Sequence, residues 1–288
     1  MALPKILLPV IVGLSLGYRE MGDMVWGPVA LVLLLAVCAQ WLIVLLNDYA
    51  DREADRRHLR DYPELLDGRV LATGLLTENR VLAAALCAAL GIVAAGFGLY
   101  GLERPLALYF AIVGLILLWA YSFPPLKLNY RGGGEILETF GTGVLLPALG
   151  YYILAGQLVS ANVHLLLPVA LYGFVGALIS GLKHEPADRD NGKNTLVVLL
   201  GSVMVRRFVW AAQMAARVWC GVFFLSGEYG IYAVSLAALL TVLPMYMTRR
   251  YDSRADYRDL AALAAYKKSL FWAGYLTYGG LALDFALG

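Results

Sequence analysis

Between Val25 and Leu46 the chain runs 22 residues without a charged side chain, enough for a helix to cross the roughly 30 Å hydrocarbon layer of a bilayer. Runs of this kind recur to the end of the sequence. With 60% hydrophobic residues, 15% charged residues and a mean hydropathy of +0.69, the chain is too apolar for an ordinary soluble domain. We read nine spans, at 4–18, 25–47, 79–99, 105–122, 135–156, 163–183, 206–225, 229–247 and 269–286. The expected fold is all-α: a polytopic membrane protein of about nine transmembrane helices in a bundle around a central cavity, with residues 1–288 forming a single transmembrane domain. The first span is short, fitting a tilted or partly interfacial helix. It is not a cleavable signal peptide, because only Lys5 precedes it and no small-residue cleavage site follows.

Lys and Arg are retained on the cytoplasmic side of membrane proteins. Of the 23 here, twenty fall on the face that holds the N-terminus and the loops after spans 2, 4, 6 and 8; Arg19 and Arg104 lie opposite, and Arg217 sits inside span 7. The N-terminus and these loops are therefore expected in the cytoplasm and the C-terminus on the far side. Arg217 is costly in lipid and should face the interior, with Asp284 or a substrate carboxylate as its partner. Cys38, Cys87 and Cys220 all lie in apolar spans and read as small buried hydrophobes. His58 and His164 stand at loop or span edges and read as solvated.

Directly after the run Val25–Leu46 come Asn47-Asp48-Tyr49-Ala50-Asp51-Arg52-Glu53-Ala54-Asp55. On a continuing helix Asp48, Asp51 and Asp55 stand at i, i+3 and i+7 on one face. Stacked carboxylates repel one another unless divalent cations lie between them. Mg²⁺ held by one or two carboxylates usually completes its shell with substrate phosphate oxygens. This segment reads as half of a metal–diphosphate site.

Beyond span 6 the chain reads Lys183-His184-Glu185-Pro186-Ala187-Asp188-Arg189-Asp190-Asn191-Gly192-Lys193-Asn194-Thr195. Spans 2 and 6 run in the same direction, so both acidic segments emerge on one face, and a bundle that joins these spans sets Asp48, Asp51 and Asp55 opposite Glu185 and Asp188. Solvated loop charge explains either segment alone better than it explains the pair. Arg69, Lys127, Arg131, Lys183 and Lys193 share that face, where a diphosphate needs cationic donors, although any one of them also reads as a positive-inside anchor.

These residues resemble the UbiA superfamily of intramembrane prenyltransferases. Asn47 to Asp55 is similar to its NDxxDxxxD signature, and Asp188-Arg189 with Gly192 and Thr195 is similar to the end of its second signature, DxxxDRxxGxxT. Gly68-Arg69 through Leu76 looks like the family's Arg-containing segment, and Tyr121 through Lys127 like its Tyr/Lys segment. Within the superfamily, Pro4-Lys5, Asn47-Asp48-Tyr49 and Asn191 through Val198 look like the menaquinone-branch enzymes that prenylate 1,4-dihydroxy-2-naphthoate. The resemblance implies Mg²⁺ as cofactor, with Asn47, Asp48, Asp51, Asp55, Glu185 and Asp188 as its ligands. It implies Asp51, Asp188, Glu185 and His184 as catalytic residues, and Lys5, Asn47, Arg69, Tyr121, Lys127, Lys183 and Lys193 on the diphosphate. The implied partners are an isoprenyl diphosphate, an aromatic acceptor and the lipid bilayer, with no nucleic acid.

One departure matters. Where the family's second signature begins with Asp, this chain has His184, and imidazole is a poor Mg²⁺ ligand. Glu185 can take over the missing carboxylate, His184 can bond a phosphate or act as a base, or the reaction itself has changed. Two Mg²⁺ ions would stabilise the departing diphosphate, leaving an allylic cation that a greasy cavity shields from water. Tyr121, Tyr151, Tyr152 and Tyr172 are candidate lining residues, and Glu138 could bind the acceptor or take its proton. A terpene cyclase of the same superfamily, working without an acceptor, is the first rival. A transporter is a remote one, because its charges belong near the bilayer midplane.

Overall fold

The computed structural model describes residues 3–65, 68–158, 161–233, 246 and 249–288. Ten α-helices stand among them, with no strand among the described residues: α1 (Leu3–Met21), α2 (Trp26–Asp61), α3 (Glu78–Gly101), α4 (Leu106–Ser122), α5 (Gly134–Phe140), α6 (Leu146–Ala155), α7 (Leu167–Gly181), α8 (Glu185–Asp190), α9 (Leu196–Leu225) and α10 (Leu260–Leu287). By length and composition five segments can cross a membrane: Trp26–Asp61, Glu78–Gly101, Gly134–Ala155, Val163–Gly181 and Leu196–Leu225. α4 is apolar but only 17 residues long. The expected span 229–247 lies mostly outside the described residues.

The apolar run does not stop where its hydrophobicity does. α2 continues through the first acidic segment for 36 residues, about 54 Å at 1.5 Å per residue. That exceeds the bilayer core, so the turns after Asn47 project past it and carry the acids on a rigid rod. The expected span 135–156 is interrupted by a π-turn at Gly141–Leu145, which joins α5 to α6. Pro147 has no N–H to give the preceding turn. A Cβ on Gly143 would lie 2.6 Å from Ala170 Cα, so the turn presses backbone to backbone on α7. The expected span 206–225 extends back to Leu196, with the helix broken at Gly201, whose φ of 79° and ψ of 155° are not helical. Arg206 does not end it, because this side chain is buried and its guanidinium donates to Ala255 O at 3.0 Å.

Two apolar clusters share α1 and α6. One extends through α2, α3 and α4, including Val32, Leu99 and Ile153; the other extends through α7, α9 and α10, including Leu178, Tyr266 and Phe285. α1 and α6 meet through glycine. A Cβ on Gly13 would stand 2.0 Å from Pro147 O, and one on Gly150 2.2 Å from Val10 O, the small-residue contact that lets membrane helices pack backbone to backbone. Cys38 packs toward Gly91, where an added Cβ would lie 2.7 Å from its Sγ, in keeping with a packing role.

The expected pairing of Arg217 with Asp284 is corrected. Asp284 accepts from the N–H groups of Gly230 at 2.7 Å and Ala233 at 3.3 Å, so its carboxylate holds a backbone turn. Arg217 reaches Gln213 Oε1 at 3.3 Å instead.

Candidate active site

One cavity of about 510 Å³ opens inside the bundle, lined from α1, α2, α3, α4, α5, α6, α7, α8 and α10. Its polar part holds Asn47, Asp51, Asp55 and His58 of α2, Arg69 from the following loop, and His184, Asp188, Lys193 and Thr195 from the second acidic segment. Its apolar part holds Leu35, Ile92, Phe110, Leu115, Leu146 and Leu149. The two acidic segments, more than 130 residues apart, thus share one chamber.

Direct bonds fasten them together. Lys193 Nζ donates to Asp51 Oδ2 at 2.7 Å, Arg57 Nε to Asn191 Oδ1 at 2.7 Å, and the Tyr62 hydroxyl to Asp190 Oδ2 at 2.6 Å. The Tyr130 hydroxyl donates to the other oxygen of Asp51 at 3.1 Å. Ser122 Oγ donates to Asn47 Oδ1 at 2.8 Å, fixing the side chain that opens the first segment.

The helix face divides the acid triad. Asp48 turns away from the cavity and accepts from Leu71 N at 3.1 Å. That bond anchors the loop whose Arg69 Nε comes within 3.2 Å of Asp55 Oδ2. The second Asp48 oxygen is buried and has no hydrogen-bond partner among the described residues. Glu185 and Lys183 do not line the cavity; Glu185 accepts from its own helix neighbour Arg189 at 3.1 Å. Lys127 lies over the Tyr130 ring at 3.7 Å. Lys5 lines the cavity, but its ammonium is paired with Glu138.

Burial pushes Asp188 up to about 6, with repulsion from Asp51 adding to it and Lys193 and Arg69 pulling the other way. Asp55 also stands at about 6, again chiefly from burial, with Arg69 opposing and Asp51 adding. Burial pushes His184 well below the usual imidazole range. His58 is lowered as well, mainly by burial and then by Lys193.

Among the described residues no three carboxylate, imidazole or thiol groups converge on a point as a closed metal cage. Asp51, Asp55 and Asp188 instead offer separate oxygen arms around one chamber. That donor set suits Mg²⁺, which takes few protein oxygens and leaves the rest of its shell to water and phosphate. The two imidazoles are unsuited to it.

Some residues were missed or misread from the sequence. Tyr130 and Lys267 were not anticipated at the site. His58, expected in solvent, is 5% exposed, lines the cavity, and its ring centroid lies 5.3 Å from that of His184. Of the four candidate tyrosines only Tyr121 lines this cavity. The Tyr151 hydroxyl donates to Glu20 at 2.5 Å, Tyr152 accepts from Leu106 N at 3.1 Å, and Tyr172 packs on Tyr278.

The sequence profile of the UbiA prenyltransferase family matches residues 6–275. The chain belongs to the UbiA prenyltransferase family. It is 28% identical over 263 residues to 1,4-dihydroxy-2-naphthoate octaprenyltransferase of Escherichia coli K12, covering 87% of this chain and 83% of that protein. It is 25% identical to the chloroplastic chlorophyll synthase of Arabidopsis thaliana, covering 81% of this chain and 60% of that longer protein. In fold it is similar to a UbiA homolog from Aeropyrum pernix K1 in its apo form, with a TM-score of 0.68 at 14% identity over 99% of this chain and 97% of that one. It is also similar to a UbiA homolog from Archaeoglobus fulgidus bound to DMAPP and Mg²⁺, with a TM-score of 0.64 at 14% identity over 98% and 100%. As a UbiA member it is an integral membrane prenyltransferase.

Proposed function

We propose that this prenyltransferase transfers an isoprenoid chain from an allylic diphosphate to an aromatic quinone precursor of the dihydroxynaphthoate type, with Mg²⁺ as its cofactor. The observation that carries the reading is the opening of both acidic segments onto one chamber whose remainder is apolar. The bound Mg²⁺ of the Archaeoglobus fulgidus homolog supports the cofactor, and the naphthoate-prenylating relative supports the acceptor class.

In this reading Asp51, Asp55 and Asp188 hold the metal, with Asn47 beside them on α2. Mg²⁺ supplies charge stabilisation for the departing diphosphate. Lys193 and Arg69 line the same chamber and meet the phosphate oxygens, exchanging their present carboxylate partners for them. Leu115, Phe110, Leu146 and Leu149 receive the isoprenoid chain and keep water from the allylic cation. Asp48 serves indirectly, through the loop that presents Arg69. The acidic mouth faces the cytoplasm, in line with the twenty basic residues on that side.

The test is product analysis by mass spectrometry. Purified protein with Mg²⁺ and an allylic diphosphate is given naphthoate, benzoate and glycerol-phosphate acceptors in turn. A prenylated dihydroxynaphthoate-derived product supports the reading. A cyclic terpene formed without acceptor contradicts it.

A further inference from the structure

Each acidic segment sets an imidazole one helical turn from a carboxylate that it brings to the chamber. His58 stands three residues beyond Asp55 on α2, and His184 four residues before Asp188, whose N–H donates to the His184 carbonyl at 2.8 Å. The two rings meet edge to face, with centroids 5.3 Å apart and planes at 80°. Both line the chamber, and Lys267 of α10 lines it with them. His58 is 5% exposed, yet its Nε2 is buried with no hydrogen-bond partner among the described residues. A buried polar atom in that state costs free energy until a ligand or water supplies the partner.

The occupant that fits this half of the chamber is an anion. A second Mg²⁺ needs hard oxygen donors, but Asp188 is the carboxylate that the second segment brings to the chamber. Glu185 bonds Arg189 outside it, and His184 offers nitrogen. Asp48 of the first segment is turned to Leu71 N. A softer metal on the two imidazoles would stand among cations: beside burial, His58 feels the charges of Lys193 and Arg69, and His184 that of Lys267. A phosphate oxygen meets an attractive field there, and an imidazole N–H or an ammonium donates to it directly.

We propose that His58, His184 and Lys267 form a metal-free phosphate subsite, so that the allylic diphosphate is held by one Mg²⁺ rather than two, with hydrogen bonds from these side chains in place of the second ion. This rests on the reading of an allylic diphosphate donor given above and is independent of the acceptor. Asp51, Asp55 and Asp188 take the single ion. The imidazole pair, one turn away on both segments, faces the phosphate oxygens that this ion leaves uncovered, and His58 Nε2 gains the partner it lacks.

The experiment counts Mg²⁺ by equilibrium dialysis on the unmodified full-length protein saturated with a non-reactive allylic diphosphate analogue, and measures the affinity of that analogue by calorimetry. One ion per protein is expected. His184→Asp, which adds an oxygen donor, should bind two. His58→Phe keeps a ring packed on His184 and removes the donor. It should still bind one ion but hold the analogue about 10-fold more weakly, the scale of a hydrogen bond to a charged group. Lys267→Met should weaken the analogue similarly, again with the ion count unchanged. Two ions in the unmodified protein, a single ion in His184→Asp, or unchanged analogue affinity in both His58→Phe and Lys267→Met overturns the proposal. Failure of the unmodified protein to bind the analogue overturns it together with the donor reading. One ion without any aromatic product supports the subsite and contradicts only the acceptor class.

Discussion

Lys193 Nζ lies 2.7 Å from Asp51 Oδ2, an ion pair between side chains 12% and 5% exposed that belong to different acidic segments. In the absence of substrate it supplies the positive charge that Asp51 needs in a buried site. Lys193→Ala is expected to destabilise the metal-free protein by about 1–3 kcal/mol, because a buried carboxylate loses its partner. Mg²⁺ should restore most of the loss, and thermal unfolding with and without Mg²⁺ checks it. A destabilisation that Mg²⁺ leaves untouched would place Lys193 in a purely structural role.

Tyr130 donates to the opposite oxygen of Asp51 at 3.1 Å. Tyr130→Phe removes one neutral donor and leaves the carboxylate in place, so activity is expected to fall by only about 3–10-fold, the scale of a single hydrogen bond. Steady-state kinetics at saturating Mg²⁺ decides the point. A loss as large as that of Asp51→Ala would give the tyrosine a direct part in the reaction.

Glu185 and His184 differ in what they face. Glu185 bonds Arg189 outside the cavity, whereas His184 lines it beside His58. Glu185→Ala should therefore retain activity within about threefold, and Asp188→Ala should lose it by more than about 100-fold. His184→Asp, which adds a hard oxygen donor to the chamber, should tighten Mg²⁺ binding. Mg²⁺ titrations of the three variants separate these outcomes; a severe loss in Glu185→Ala would move the metal site toward α8's outer face.

The pKa of Asp55 and that of Asp188, each raised to about 6, set a pH dependence. The folded-state value lies above the unfolded one, so these acids favour the metal-free fold below about pH 4, and that contribution is lost as pH rises through about 6. His58 and His184, lowered by burial, act in the opposite sense. Mg²⁺ separates the two effects because it binds ionised carboxylates and not imidazole. The Mg²⁺-induced rise in melting temperature should be large at pH 7.5 and small at pH 5. An equal rise at both would contradict the assignment of these carboxylates to the metal.

The first acidic segment was legible because helical geometry is local: Asp51 and Asp55 share a face by residue count alone. The same count reaches His58, at i+7 from Asp51, which could have been found by extending the face one more turn. The rotation that turns Asp48 toward Leu71 N depends on where the loop after α2 returns, and no spacing rule contains that. Tyr130 reaches Asp51 across 79 residues from a 3₁₀ turn at Leu128–Tyr130, so the contact exists only once the bundle closes. The π-turn was hidden for a similar reason. The apolar run reports a span at 135–156, while the distortion comes from Pro147 and from Gly143 pressed on Ala170.

The central claim is that the carboxylates of the two acidic segments act as one site. A double-mutant cycle on Asp51→Ala and Asp188→Ala, reading Mg²⁺-dependent affinity for a non-reactive allylic diphosphate analogue, measures this directly. The account predicts that each single variant loses nearly all of the Mg²⁺-dependent affinity and that the double variant is scarcely worse. Independent, additive losses, or full Mg²⁺-dependent binding in either single variant, would contradict it.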